Sequence, residues 1–338
     1  MRSTYIKKMQ EMAARLWSEP ESTVLAADVA RTSPAVTLPI SVIVPVRNEG
    51  RNLQRCLESL RGAGEVYVID SQSTDDSVEI ARTCGSRVIQ FYYRGGWPKK
   101  RQWALGMLPL QYEWVLLLDA DESLTPALAD EIKAAIRNPT IDGYYIGLDM
   151  FFLGRRLRHS GASFYKLSLF RHGKGCFECR AQRQNGSMCD MEVHEHVMVN
   201  GRTQKLKERL VHRNVESLSR YIQKHNEYSN WEAQVWRESE KQHAELPAKL
   251  FGRQSERRRW IRKKFFALPG SSLVFMFYKY VLCLGFLDGV PGLIYCGLQG
   301  IQFFQIKAKV YEAKTAAREV LSVRSRELTI VKESNVRH

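Results

Sequence analysis

Three short polar clusters carry most of the chemistry this 338-residue sequence could perform. The first is Asp119-Ala120-Asp121-Glu122. Carboxylates at spacing i, i+2 after an apolar run can both reach one hard divalent cation, Mg²⁺ or Mn²⁺, and set it against phosphate oxygens. A cation held there can neutralise a departing diphosphate, which is Lewis-acid work. The second cluster is Asp70-Ser71-Gln72-Ser73-Thr74-Asp75. Its leading acid can accept from a base or ribose donor, and its hydroxyls can bond diphosphate oxygens or cap a helix. The third, Pro45-Val46-Arg47-Asn48-Glu49, sets a cation, an amide and an acid in a row. Each cluster alone is also what an ordinary polar turn looks like, so the elements before them decide.

Those elements alternate between strand and helix. Ile40 to Val46 is a β-branched run that predicts a buried strand ending near Pro45. Leu53, Cys56, Leu57 and Leu60 have helical spacing, and Glu65 to Asp70 predicts a second strand. A second helix is expected over Asp75 to Ala81, capped by Ser73 or Thr74. Arg87 to Gln90 predicts a third strand, Gln102 to Leu108 part of a third helix, and Trp114 to Asp119 an all-apolar fourth strand. Repeated βαβ units imply an α/β fold with a mainly parallel central sheet and right-handed crossovers. Ligands in such sheets bind beyond the carboxyl ends of the strands, where all three clusters fall.

Read together, Ile43 to Glu49, Val68 to Asp75 and Leu118 to Glu122 resemble the inverting family 2 glycosyltransferases with a GT-A nucleotide-binding domain. Further motifs are similar to a subgroup that includes lipopolysaccharide-core glucosyltransferases. They are Phe152-Leu153-Gly154, Arg158-His159-Ser160-Gly161, Lys166-Leu167 with Leu169-Phe170-Arg171, Val193-His194-Glu195, and Gly285 to Gly289 with Gly292. The resemblance covers about residues 39–310. Gln102 stands where that pattern usually has Asn, and Ser168 where Arg often precedes Leu-Phe-Arg.

The resemblance implies transfer of a sugar from a nucleoside-diphosphate donor, a UDP-sugar being favoured, to a glycan or lipid-linked acceptor of cell-surface polysaccharide such as lipopolysaccharide or exopolysaccharide. Pro45, Arg47, Asn48, Glu49, Asp70, Ser71, Ser73 and Asp119 would hold the donor, with Lys99 and Arg101 on its phosphates. Asp119 and Asp121 would hold the metal. A single displacement needs a general base on the acceptor hydroxyl, for which Glu195 is the candidate and His194 its orienter or a further metal ligand. Strict strand alternation would put Glu195 on the same face as Val193 and Val197.

The net charge of +15 points to an anionic partner. Lys249, Arg253, Arg257, Arg258, Arg259, Arg262, Lys263 and Lys264 against the lone acid Glu256 contribute +7 of it, directly before an apolar stretch. Basic residues beside apolar ones predict an anionic membrane surface rather than nucleic acid, whose groove would interleave them with aromatics. Leu273–Leu287 and Val290–Ile306 are too short to span, which predicts C-terminal membrane-interfacial helices. A peripheral or monotopic protein at the cytoplasmic face of the inner membrane is therefore expected. The predicted layout is an N-terminal arm (1–38), a catalytic domain (39–215), an amphipathic helix with the basic segment (216–264), an apolar helical hairpin (265–310) and a polar tail (311–338).

Seven cysteines at irregular spacing suggest no disulfide framework, and the first 35 residues show no secretory signal. Cys176, Cys179, Cys189, His194 and His196 have the residue types of a zinc site, but their spacing fits no compact pattern. A nucleotidyltransferase would usually carry a glycine-rich basic loop after its first strand, and Arg47-Asn48-Glu49-Gly50 is too acidic and glycine-poor for that. A basic membrane- or nucleic-acid-binding protein without catalysis is the remaining alternative.

Overall fold

The computed structural model describes residues 37–160, 164–179, 190, 196–213, 217–241, 264–266 and 268–335. The chain divides into two compact units, Met1–Tyr221 with Lys279–Cys296 and Ile222–Tyr278 with Gly297–His338.

The first unit is built on β1 (Leu38–Val46), α1 (Gly50–Glu58), β2 (Ala63–Asp70), α2 (Ser77–Thr83), β3 (Arg87–Gln90), α3 (Lys100–Met107) and β4 (Trp114–Leu117). β5 (Glu122–Ser123), α4 (Pro126–Ala135), β6 (Gly143–Phe152), β7 (Arg155–Arg156), β8 (Tyr165–Arg171), β9 (Gly175–Phe177), β10 (Val197–Val199) and β11 (Thr203–Arg213) follow. β1 is apolar except for Ser41, whose buried hydroxyl donates to Glu65 at 2.6 Å, because both its faces are covered. Ile40, Val42, Val44 and Val46 enter one core with Leu116 and Leu118, while Ile43 enters the other with Ile69, Val115 and Leu117. β4 pairs with β1 only over Ser41–Ile43, which leaves Pro45, with no N–H to donate, beyond that ladder.

The main sheet runs β3-β2-β1-β4-β8-β6-β11-β5, with β7 beside β6. Pairs from β3 through β4 are parallel, as their helical crossovers require. Beyond β4 the expectation of a mainly parallel sheet fails. β4–β8, β6–β8, β6–β7 and β11–β5 are antiparallel, and only β6–β11 returns to parallel. The physical reason is the connections: among the described residues no helix separates β6 from β8, so the chain reverses directly. The sheet is mixed. Because the chain leaves β1 for β2 on one side and returns to β4 on the other, a crevice opens at the carboxyl ends of β1 and β4.

Helix boundaries follow local chemistry. Thr125 caps α4 by accepting from the Leu128 amide at 3.1 Å, with Pro126 in the first turn. The expected capping of α2 by Ser73 or Thr74 does not occur: Asp76 holds that position and has no side-chain cap bond. Both hydroxyl residues are engaged with the neighbouring loop instead.

The second unit contains most of α5 (Leu218–Lys241), α6 (Ser271–Phe277) and the later part of α7 (Gly289–Asn335). Ala233, Ile306 and Val310 form its small core, with Trp236 and Phe266 packed against them. Large apolar side chains are left in the open, including Leu273, Phe277, Phe304 and Tyr311. Among the described residues no single helix is long and apolar enough to cross a membrane, although the broken pair Ser271–Leu282 and Gly285–Ala316 passes that test jointly by length and composition. The polar tail expected after residue 311 continues α7 as far as Asn335.

Candidate functional site

The loop after β1 is locked to the loop after β2. Asn48, at φ 56°, takes a left-handed conformation that asparagine tolerates better than most residues. Its amide donates to Ser73 Oγ at 2.8 Å, and its Oδ1 accepts from the Thr74 amide at 2.7 Å. The Glu49 amide donates to Ser77 Oγ (2.9 Å) and the Gly50 amide to Asp75 Oδ2 (3.0 Å). Asp70, only 1% exposed, accepts from the Ser73 amide at 3.1 Å, from Gln90 Nε2 at 2.9 Å and from Ser73 Oγ. These bonds pin the two loops together before any ligand arrives.

A buried cation sits beneath them. Lys100 is fully buried; its Nζ donates to the Val46 carbonyl at 2.8 Å and pairs with Asp190 Oδ2 at 2.9 Å. Ser71 Oγ donates to the same Asp190 oxygen. Burial would raise the Asp190 pKa, but Lys100 and Ser71 outweigh it and hold the carboxyl below its ordinary value. Asp190 thus ties a distant part of the chain to the ends of β1 and β2.

Beyond β4 the acids divide. Asp119 is held by cations: Arg101 contacts Oδ1, and Lys166 Nζ lies 3.1 Å from Oδ2 while also contacting Glu122. Partial burial would raise the Asp119 pKa, yet Arg101 and Lys166 overcome this and keep it far below the usual carboxylate range. Burial pushes Glu122 the other way, upward, against the pull of Lys166. Asp121 makes no ion pair with a lysine or arginine among the described residues, although the Arg55 guanidinium is close enough to interact with it; its Oδ1 lies 3.4 Å from His212 Nδ1 on β11, and Glu122 Oε1 lies 3.8 Å from the same nitrogen. His212 Nδ1 and Glu122 Oε1 are both buried and make no hydrogen bond among the described residues.

Orphaned buried atoms next to a carboxylate fit a cation. Asp121 Oδ1 and His212 Nδ1 would supply an oxygen and a nitrogen ligand to a metal, an imidazole nitrogen being able to ligate through its lone pair. Mg²⁺ and Mn²⁺ sites commonly take only one or two carboxylates and complete their shell with phosphate and water. No cluster of three or more His, Cys, Asp or Glu side chains is set to hold a metal by itself among the described residues. The donor set therefore suits a cation shared with a phosphate-bearing ligand.

The expected donor residues reach one edge of the sheet. Pro45 ends in register with Ile69 and Val46 with Asp70, and the Leu118 amide donates to the Ile43 carbonyl at 3.1 Å. Asp70 and Asp119 stand two strand spacings apart, roughly 10 Å. Lys99 is fully buried, Arg101 is spent on Asp119, and Arg47 lies exposed on the loop. Glu195 and His194 lie outside the described residues, as do Arg257, Arg258, Arg259, Arg262 and Lys263; Lys264 is described and exposed. Cys176 is buried in β9, where burial pushes its thiol up to about 11, while Cys189 and His194 of the zinc reading lie outside the described residues. Gln102 accepts from the Phe177 amide at 2.8 Å, so its longer side chain supports β9. Sequence reasoning missed Lys100, Lys166, Asp190 and His212. Lys166 was visible as a motif residue without a role; His212 had no signal, lying in no motif and in no expected strand.

Residues 41–192 match the family model described as Glycosyl transferase family 2. An uncharacterised glycosyltransferase of Rickettsia prowazekii is 36% identical over 106 residues, 31% of this chain and 35% of that protein. The chain thus spans about a third of that relative's length. The lipopolysaccharide core biosynthesis glycosyltransferase LpsC of Rhizobium meliloti is 27% identical over 221 residues, 60% of this chain and 74% of that protein. Among solved structures, glucosyl-3-phosphoglycerate synthase from Mycobacterium tuberculosis, in complex with Mn²⁺, uridine diphosphate and glucosyl-3-phosphoglycerate, is 21% identical. That likeness covers 33% of this chain and 44% of that one at a TM-score of 0.29, too slight to bear on the chemistry of this chain.

Proposed function

From the premise that residues 41–192 are a family 2 glycosyltransferase domain, we propose that the protein transfers a sugar, with inversion, from a nucleoside-diphosphate donor to a glycan or lipid-linked acceptor. The observation that carries this reading is the unsatisfied His212 Nδ1 beside the Asp121 carboxylate, at the edge where the acids after β4 stand. An acceptor of the lipopolysaccharide-core type is the favoured class, by likeness to the Rhizobium meliloti relative, and a UDP-sugar is the favoured donor, by the resemblance of the Ile43–Glu49, Val68–Asp75 and Leu118–Glu122 motifs.

In this reading the crevice formed by Arg47, Asn48, Glu49, Asp70, Ser71 and Ser73 receives the nucleoside, and Asp119 orients the donor from its Arg101–Lys166 clamp. Asp121 and His212 would hold Mg²⁺ or Mn²⁺, which when bound supplies charge neutralisation for the leaving diphosphate. Glu195 takes the proton from the acceptor hydroxyl as its oxygen bonds to the anomeric carbon. The bond from that carbon to the diphosphate oxygen breaks, and its electron pair leaves with the diphosphate. Arg101, held on Asp119, adds positive charge near that group. Turnover of a nucleotide-sugar panel, scored for diphosphate release with membrane lipid extract as acceptor, tests the reading. Release should stop in EDTA and return with Mn²⁺ or Mg²⁺; undiminished release in EDTA would overturn the metal-dependent mechanism.

We further propose residence at the cytoplasmic face of the inner membrane, bound through the basic segment 249–264 and the apolar stretch after it. Exposed Leu273, Phe277, Leu282 and Val290, at 73%, 58%, 66% and 68%, support this, because water is a poor neighbour for so much apolar surface. Reversing the charge of Arg257, Arg258 and Arg259 should release the protein from anionic liposomes; unchanged pelleting would defeat the idea.

A further inference from the structure

A basic concavity of about 350 Å³ lies on the first unit, lined by Arg155, Arg156, Arg158, His159, Leu287 and Asp288. Its arginines are held in place by backbone geometry. Leu153 and Gly154 both have positive φ, the tight-turn conformation that joins β6 to β7 and projects Arg155 and Arg156 from a short ribbon. Arg155 donates to the Leu287 carbonyl at 3.3 Å, and a Cβ at Gly289 would come within 2.7 Å of its Nη1, so glycine leaves room for the guanidinium. Arg156 pairs with Asp149 at 2.7 Å and keeps 44% of its side chain exposed.

The one acid in the wall is turned away from competition. Asp288 is 2% exposed and accepts from the amides of Arg158 (2.9 Å), His159 (3.2 Å) and Ser160 (2.9 Å) and from Ser160 Oγ (2.7 Å). Its lone pairs are consumed in fixing the turn that carries Arg158 and His159. What remains facing outward is guanidinium and imidazole.

The pocket also stands at a telling place in the sheet. Glu122 pairs with His212, His212 with Met150, and the Leu157 amide donates to the Met150 carbonyl at 2.8 Å. One row of residues therefore leads from His212 to the pocket rim in two strand steps, roughly 10 Å. That is the reach of a sugar unit or two.

We propose that this pocket binds a phosphate or diphosphate group carried by the acceptor. The inference rests on the transferase reading for the word acceptor, while the anion site itself stands on the geometry. Several planar guanidinium forks match the multiple oxygens of a phosphoryl group, whereas a single carboxylate would engage one fork.

The test is calorimetric titration of the full chain with inorganic pyrophosphate in EDTA, which keeps metal from the Asp121–His212 site. The R155Q/R158Q variant should bind about tenfold more weakly, as expected for lost charge-assisted hydrogen bonds in a wet pocket. R155K/R158K should bind more tightly than R155Q/R158Q, and D121N should match wild type. Equal affinity in R155Q/R158Q, or a loss confined to D121N, would overturn the proposal. If the double variant melts below wild type, R158Q alone is read in its place by the same criterion. Pelleting with phosphatidylglycerol against phosphatidylcholine vesicles separates the sources: a parallel loss in the variant assigns a lipid-borne phosphate, and unchanged pelleting a soluble one. Absence of nucleotide-sugar turnover in wild type would strike the transferase reading and leave this titration standing.

Discussion

The loops after β1 and β2 and the acids after β4 share one sheet edge, yet they are finished differently. At the first, Asn48, Asp70, Ser73 and Asp75 exchange hydrogen bonds with one another and with neighbouring amides. At the second, His212 Nδ1 and Glu122 Oε1 are buried beside Asp121 without hydrogen-bond partners among the described residues. An unpaired buried polar atom costs about 1–3 kcal/mol. A chain that satisfies one cluster so fully and leaves the adjacent one open separates scaffold from ligand site. The first cluster shapes the crevice, and the second waits for what completes it.

That contrast can be broken most directly at Asp121. Asp121→Asn should lower nucleotide-sugar turnover by about 10³-fold, since a misheld metal forfeits several kcal/mol of leaving-group stabilisation. Its melting temperature should stay near wild type, because the carboxylate is not committed to a scaffold bond; turnover above a tenth of wild type would erase the distinction. Next in size, Asp190→Asn should cost about 3 kcal/mol in urea unfolding by stranding the buried Lys100 ammonium. The folded Asp190 pKa is depressed, so its contribution is complete above the unfolded value near 4 and fades as pH falls below it. The gap between wild type and Asp190→Asn should therefore be constant above about pH 5 and close in acid; a gap that widened in acid would reverse the assignment. Glu122, raised by burial, titrates with the opposite sign and partly offsets Asp119.

His212→Ala should weaken Mn²⁺ binding about 10- to 100-fold in a paramagnetic titration, with little change in urea stability. Equal affinity would mean that the imidazole is not a ligand. The smallest effect belongs to the finished cluster: Ser73→Ala should cost about 1 kcal/mol in stability and change turnover only a few-fold. A collapse of activity there would show that Ser73 touches the donor as well as the loop.

The alternation of apolar runs and helical spacing was enough to place β1 through β4: β1, β2 and β4 are largely buried runs, as covered parallel strands must be, and the half-buried edge strand β3 falls at the expected Arg87–Gln90. The same logic could not rank the later strands. β6 and β8 are largely apolar and β11 largely polar, and whether neighbours run parallel or antiparallel depends on the connection rather than on the strand itself.

Local sequence also determined which acids end the strands, since Asp70 and Asp119 follow their apolar runs directly. It could not say which acid would be paired and which left open. Arg101 and Lys166 reach Asp119 rather than Asp121 only because α3 and β8 flank β4, and His212 reaches Asp121 only because β11 pairs with β5. Periodicity is a property of neighbours along the chain, and it fixes burial. Ligand sets are assembled from residues distant in sequence, so strand order decided them.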